Sequence, residues 1–219
     1  MNPVKPTFKT EVIPIIAILL SVLASFYFYA NFPDLVPTHW NYRGEIDGYA
    51  PKLFGAFFFP ALIIGIYLFF LFLPYLDPQK NRYQEFAKVY HTFKTLIVLF
   101  MVFIYFFTGL AGLGYPAPVN IVVPIGVGIL FLVLGNYLGK IKPNWFMGIR
   151  TPWTMSNEEV WNKTHRLGGK IFMLIGLFMI FGTILPATWF FISFMAVVII
   201  GSLIPIFYSY WLFKKITNK

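Results

Sequence analysis

Apolar and polar stretches alternate along this chain on a long period. Six runs, at 12–30, 53–73, 95–113, 121–138, 168–185 and 189–213, hold no Asp, Glu, Lys, Arg or His apart from Lys170 at the margin of the fifth. A helix needs roughly 17–25 apolar residues to cross the hydrocarbon of a bilayer, so each run predicts a transmembrane span. The first run ends in aromatic residues, Phe28 and Tyr29, with no small-residue cleavage site, which predicts an uncleaved span. Gly135 and Gly139 in the fourth run have the spacing that lets helix backbones approach closely in lipid.

The polar stretches between the runs are few and distinct. Residues 31–52 carry Pro33, Pro37 and Pro51 with Gly44 and Gly48, and predict a turn-rich, compact loop with Asp47-Gly48 at a turn. In 75–94, Asp77 as cap and Pro78 at the first helical position predict a helix over 78–93 that continues into the third span. Tyr83, Phe86, Tyr90 and Phe93 recur there at helical spacing, as a packing face does. The stretch 139–170 holds eight of the 25 charged residues and three of the six tryptophans. Its second half predicts a helix over 156–167, capped by Ser156 with Glu159 completing a capping box. On a helical wheel Glu158, Glu159, Asn162, Lys163, His165, Arg166 and Lys170 share one face, opposite Val160, Trp161, Thr164 and Leu167. That pattern predicts an amphipathic helix at the membrane interface, with Trp161 at headgroup depth.

Composition agrees with the runs. Hydrophobic residues make up 58% of the 219 and charged residues 11%, against about 25% charged in soluble domains. The expected fold is all-α: a polytopic bundle of six transmembrane helices forming one membrane domain, with a cytoplasmic interfacial amphipathic helix. The net charge of +9 is a matter of placement. Fifteen of the 17 lysines and arginines fall in the N-terminus, the 75–94 and 139–170 loops and the C-terminal tail; only Arg43 and Lys52 lie in 31–52. The positive-inside rule therefore predicts cytoplasmic termini in a cell membrane, with 31–52 outside. No nucleic-acid role is implied. The absence of Cys excludes disulfides, thiol nucleophiles and thiolate metal sites. Three histidines without a ligand-spaced pattern argue against any metal or cofactor.

Two segments could carry chemistry. The outer one offers His39, Trp40, Asn41, Arg43, Gly44, Asp47 and Gly48, either as turn and interface residues or as a ligand site in which His39 meets a carboxylate. The inner one offers Arg150, which can pair with Glu158 or hold backbone carbonyls. His165 and Glu158, seven apart, could form an acid–base couple, but no nucleophile or ligand set accompanies them. Membrane transporters usually keep ionisable groups within their spans, and these runs lack them. A non-enzymatic protein is expected, the competing class being an enzyme or transporter acting on lipids or cell-wall precursors.

One segment, GNYLGKIKPNWFMGIRTPWTMSNEEVWNKTHRLGGK, resembles the C-terminal motif of the SdpI family of bacterial membrane proteins. The matching residues are Asn144, Gly148, Arg150, Thr151, Pro152, Trp153, Ser156, Glu158, Trp161, His165, Arg166 and Gly169. PTHWNYRGEIDGYAPK, from Pro37 to Lys52, resembles the family's other segment. The resemblance implies immunity against a secreted peptide toxin met on the outer face. It also implies signalling, by recruitment of a cytosolic winged-helix autorepressor to the inner face. It would give the outer segment a ligand-binding role and the inner motif a partner-binding one.

Overall fold

The computed structural model describes residues 4–218. Helix α1 (Phe8–Asn31) leads into a hairpin of β1 (Leu35–Trp40) and β2 (Ile46–Pro51). Then follow α2 (Lys52–Leu76), a 3₁₀ turn (Lys80–Phe86), α3 (Ala87–Gly112), α4 (Val119–Leu138), the short α5 (Pro152–Ser156), α6 (Glu158–Gly182) and α7 (Ala187–Thr217). Six of these helices are long and apolar enough to span a bilayer, α3 together with its leading 3₁₀ turn. The architecture is all-α apart from the hairpin. It is that of a multi-pass membrane protein.

Two compact units share the chain. The first takes Pro6–Leu71 and Lys94–Gly126; the second takes Phe72–Phe93 and 127–218, with Val4 and Lys5. In the first, Phe28, Phe32, Val36, Ile63, Val98 and Tyr105 form the buried core. Phe28 stacks on Phe32 at 5.2 Å and meets the Tyr105 ring edge-on at 5.4 Å. The Tyr105 hydroxyl donates to the Ala56 carbonyl at 2.7 Å, which ties α3 to α2 without leaving a polar atom unpaired in hydrocarbon.

The same unit holds a feature that hydropathy alone places at the edge of the spans. Helix α1 begins at Phe8, capped by Thr7, and α3 begins at Ala87, so Glu11 and Lys94 lie inside helices rather than beside them. Lys94 Nζ sits 2.5 Å from both carboxylate oxygens of Glu11, and both residues are buried. Hydroxyls of Tyr67 and Thr10 donate to the same carboxylate at 2.8 and 2.9 Å. An apolar window stops at a charge, so each half of this pair marks the end of a run. Only the fold shows that the two neutralise each other.

The second unit is organised on a glycine seam between α4 and α6. A Cβ on Gly135 would meet the Gly169 carbonyl at 2.6 Å, and one on Gly128 would meet the Gly176 carbonyl at 2.7 Å. Only glycine permits that approach, and the seven-residue spacing repeats it two turns along. Gly139 packs instead against Arg166. Here the expected interfacial helix is the first part of α6, which runs unbroken from Glu158 into the span. The cap also differs. Asn157 accepts from the Glu159 and Val160 amides, while Ser156 is the last residue of α5 and donates to the Pro152 carbonyl at 2.8 Å. Thr151 forms its own capping box with Thr154, and Pro152 opens α5, which uses up Ser156 before α6 begins. The helix expected from Pro78 starts later, as the 3₁₀ turn, with Asp77 accepting from the Gln79 amide at 2.7 Å just ahead of it.

Candidate functional site

The outer segment is a hairpin rather than a loop of separate turns. Asn41 makes the turn: its Oδ1 accepts from the amides of Arg43 and Glu45, and its Nδ2 donates to the Glu45 carboxylate at 2.8 Å. Gly44 adopts φ +84°, where a side chain is strained, and a Cβ there would also meet Asn120 Oδ1 of α4 at 2.8 Å. The tip therefore rests on α4. At the base, Lys52 pairs with Asp34 at 3.2 Å.

Asp47 and Gly48 lie within β2 rather than at a turn, a correction that follows from the pairing register. Pro37 faces Tyr49, His39 faces Gly48 and Trp40 faces Ile46, which leaves Thr38 and Asp47 as bulged residues. A bulge re-aims its side chain, and here the Asp47 carboxylate comes to lie 2.5 Å from His39 Nδ1. The convergence that the sequence leaves open thus occurs, on an imidazole 72% exposed to solvent. Gly48 is required opposite His39, since a Cβ would come within 2.8 Å of the His39 Cβ. Arg43 donates to the Tyr42 hydroxyl at 3.1 Å and projects outward.

Beneath β1 is a cavity of about 500 Å³, within the range of ligand pockets. Its floor and walls are apolar: Phe32, Phe54, Phe58, Phe59 and Val123, with Thr108. The hairpin contributes five consecutive residues, Val36, Pro37, Thr38, His39 and Trp40, all from β1. The sequence names His39 and Trp40 as site residues but gives no sign of this cavity. Its walls come from helices far apart in the chain and read individually as lipid-facing.

The inner segment is built in the opposite manner. Asn144, fully buried, donates to the carbonyls of Lys142 and Met147 and accepts from the amides of Phe146 and Met147. All the hydrogen-bonding capacity of its amide goes into shaping one loop. Asp77 reaches the same loop, accepting from the Trp145 amide and the Tyr83 hydroxyl, both at 2.9 Å. Arg150 donates to the Trp145 carbonyl, the backbone role of the two open to it. Glu158 pairs instead with Arg82, at 2.7 Å.

His165 departs from the wheel and lies with Trp161 on the buried side. Both are fully buried and stack with ring centroids 4.0 Å apart. Trp161 Nε1 donates to the Ile141 carbonyl at 2.8 Å. His165 Nδ1 lies 2.8 Å from the Trp161 carbonyl, which can only accept, and Nε2 takes the Ile149 amide proton at 2.9 Å. Donating from one nitrogen while accepting at the other requires a neutral imidazole. His165 is therefore a structural clamp, with neither nitrogen left to act on Glu158 or a substrate. Gly148, at φ +106°, lies against the same ring, which occupies the space a Cβ would need. The rest of the polar face keeps to the wheel, with Glu158, Glu159, Lys163, Arg166 and Lys170 exposed; His165 departs from it because the loop folds back over that one position.

The remaining motif residues divide between interior and surface. Thr151 Oγ1 meets Ser209 Oγ of α7 at 2.9 Å, and Trp153 packs on Tyr210 at 5.0 Å. Gly169 belongs to the glycine seam. Arg166, Pro152 and Glu158 are exposed, as are Trp145 and Phe146, which the motif reading did not single out. Among the described residues no cluster of three or more His, Asp or Glu side chains could hold a metal.

Six apolar helices, with a fully bonded loop between α4 and α6, define the class: a polytopic α-helical membrane protein. Within it, residues 140–209 match the SdpI/YfhL protein family and residues 16–64 match a domain of unknown function (DUF1648). The chain is 26% identical over 210 residues to the Immunity protein SdpI of Bacillus subtilis (strain 168), covering 96% of this chain and 99% of that protein. The SdpI likeness carried by the motif residues thus extends over nearly the whole sequence. No solved structure matches.

Proposed function

We propose that this protein confers immunity against a secreted peptide toxin, which it meets at the hairpin on the outer face of the cell membrane. The observation that carries this reading is the near end-to-end similarity to an immunity protein. The hairpin supports it with what an external ligand needs: exposed His39, Arg43 and Asp47, and an apolar cavity directly beneath. The distribution of Lys and Arg supports a topology with both termini and the inner loop in the cytoplasm. There the exposed surface of Trp145, Phe146, Arg150 and Arg166 is the contact for a cytosolic winged-helix repressor, whose recruitment signals toxin. Asn144, Gly148, Trp161, His165 and Gly169 hold that surface in shape and do not touch the partner. Ligand binding can bias the inner surface only if affinity differs between two helix packings.

The test is survival of a toxin-sensitive host that expresses the chain and is challenged with the toxin of a producer strain. Protection is expected. Equal survival with and without the protein refutes the immunity reading. One observation favours the competing transporter class: an ionisable pair, Glu11–Lys94, inside the helices. The two readings separate on a Glu11→Gln/Lys94→Met double variant. It keeps protection if the pair is structural and loses it, while still inserting, if the pair moves a substrate.

A further inference from the structure

The hairpin is a sheet of two strands, so each strand has one edge without a partner. A strand edge is a row of backbone donors and acceptors that another chain can complete; in β1 Pro37 supplies only a carbonyl to that row. One of these edges meets the cavity. A strand that turned only one face to a pocket would line it with alternate residues. β1 lines it with five in succession and β2 with none. β1 is therefore the strand next to the cavity, although the bulge at Thr38 also breaks the alternation of its faces there. The bulge at Thr38 bends this strand further and sets Val36 down onto Gly55 of α2, where no larger residue would fit.

The geometry points to β1 as a docking edge for an extended apolar peptide, which adds as a third strand and drops a side chain into the cavity below. The occupant follows from the two features together. Lipid tails and other apolar molecules could fill a cavity of aromatic and aliphatic walls, but they offer no periodic N–H and C=O groups to the edge. A helix would satisfy its own backbone groups and leave the edge unpaired. Only an extended peptide uses both, with main-chain bonds supplying affinity and the pocket selecting side chains. The volume of about 500 Å³ has room for a large aromatic or branched aliphatic side chain. The contact between His39 and Asp47 of β2 joins the two strands on the side away from that edge. This inference rests on the immunity reading, for which it supplies the mode of toxin capture.

The experiment uses the full chain in lipid nanodiscs and a fluorescent, lysine-flanked peptide of alternating leucine and valine, with binding read by anisotropy. Saturable binding is expected. It should weaken by about tenfold or more when alternate backbone nitrogens of the peptide are methylated, since that removes strand donors and leaves the side chains unchanged. Val123→Trp, which fills the cavity, should weaken it by a similar factor, whereas oleate should compete poorly. Equal binding of the methylated and unmethylated peptides overturns the strand-addition mode without requiring any variant to fold. Full displacement by oleate overturns it as well, in favour of a lipid site. Probe binding that follows this pattern in a chain giving no protection upholds the docking edge and refutes the immunity reading alone.

Discussion

The hairpin and the inner loop are both polar, both rich in Trp, Gly and Pro, and both resemble family motifs, yet they spend their side chains differently. Around the inner loop Asn144, Asp77, Trp161 and His165 each bond a backbone group of that loop, and all four are buried. In the hairpin only Asn41 works in that way. His39, Arg43 and Asp47 are exposed, and a strand edge is left open beside a cavity. Two motifs of similar appearance thus differ: one buries its polar side chains against its own backbone, and the other exposes them beside a cavity. A motif residue on the inner side is evidence first about the shape of the loop.

The largest effect should come from the buried pair that shares the hairpin's unit. Lys94→Met alone leaves the buried Glu11 carboxylate without its ammonium counter-charge, with an expected loss of about 3–5 kcal/mol. Adding Glu11→Gln should recover most of it. Thermal unfolding in detergent measures both, and a double variant no better than the single would mean that Lys94 serves another partner. Next, His165→Ala should free the Ile149 amide and the Trp161 carbonyl together and empty the ring site. A loss of about 3 kcal/mol is expected, seen as new proteolytic cleavage within 139–157. Gly148→Ala should act in the same way, because its Cβ meets the same ring. If neither variant exposes the loop, the scaffold half of the comparison fails.

Smaller effects are expected outside. Gly44→Ala must place a side chain at φ +84° and should cost about 1–2 kcal/mol locally, read as faster amide exchange in 35–51 with the rest of the chain unchanged. His39→Ala breaks an exposed pair worth at most about 1 kcal/mol, and should reduce toxin protection more than it reduces stability. Arg82→Ala should shift the melting temperature least of all, since its partners Glu85 and Glu158 are themselves exposed.

Much of this fold can be read from the residues. The six spans follow from run length, and the close approach at Gly135 follows from its spacing. What could not be read has a common cause. Whether a polar residue faces water depends on what folds over it, and wheel geometry sees only its own helix. That is why the wheel turns His165 toward water, whereas the 144–154 loop covers it. Glu11 and Lys94 lie 83 positions apart, so neither announces the other. The cavity is invisible for a similar reason: Phe32, Phe58 and Val123 look like lipid-facing residues until α1, α2 and α4 are brought around β1.

Because the chain has no cysteine, single replacements can report which side of the membrane each motif faces. Arg43→Cys and Trp145→Cys, both at exposed positions, would be treated on intact cells with a membrane-impermeant maleimide. The account predicts labelling of the hairpin cysteine at once and of the loop cysteine only after the cells are opened. Labelling of both from outside, or of Trp145→Cys alone, would contradict a hairpin that meets an external ligand and an inner loop that faces the cytoplasm.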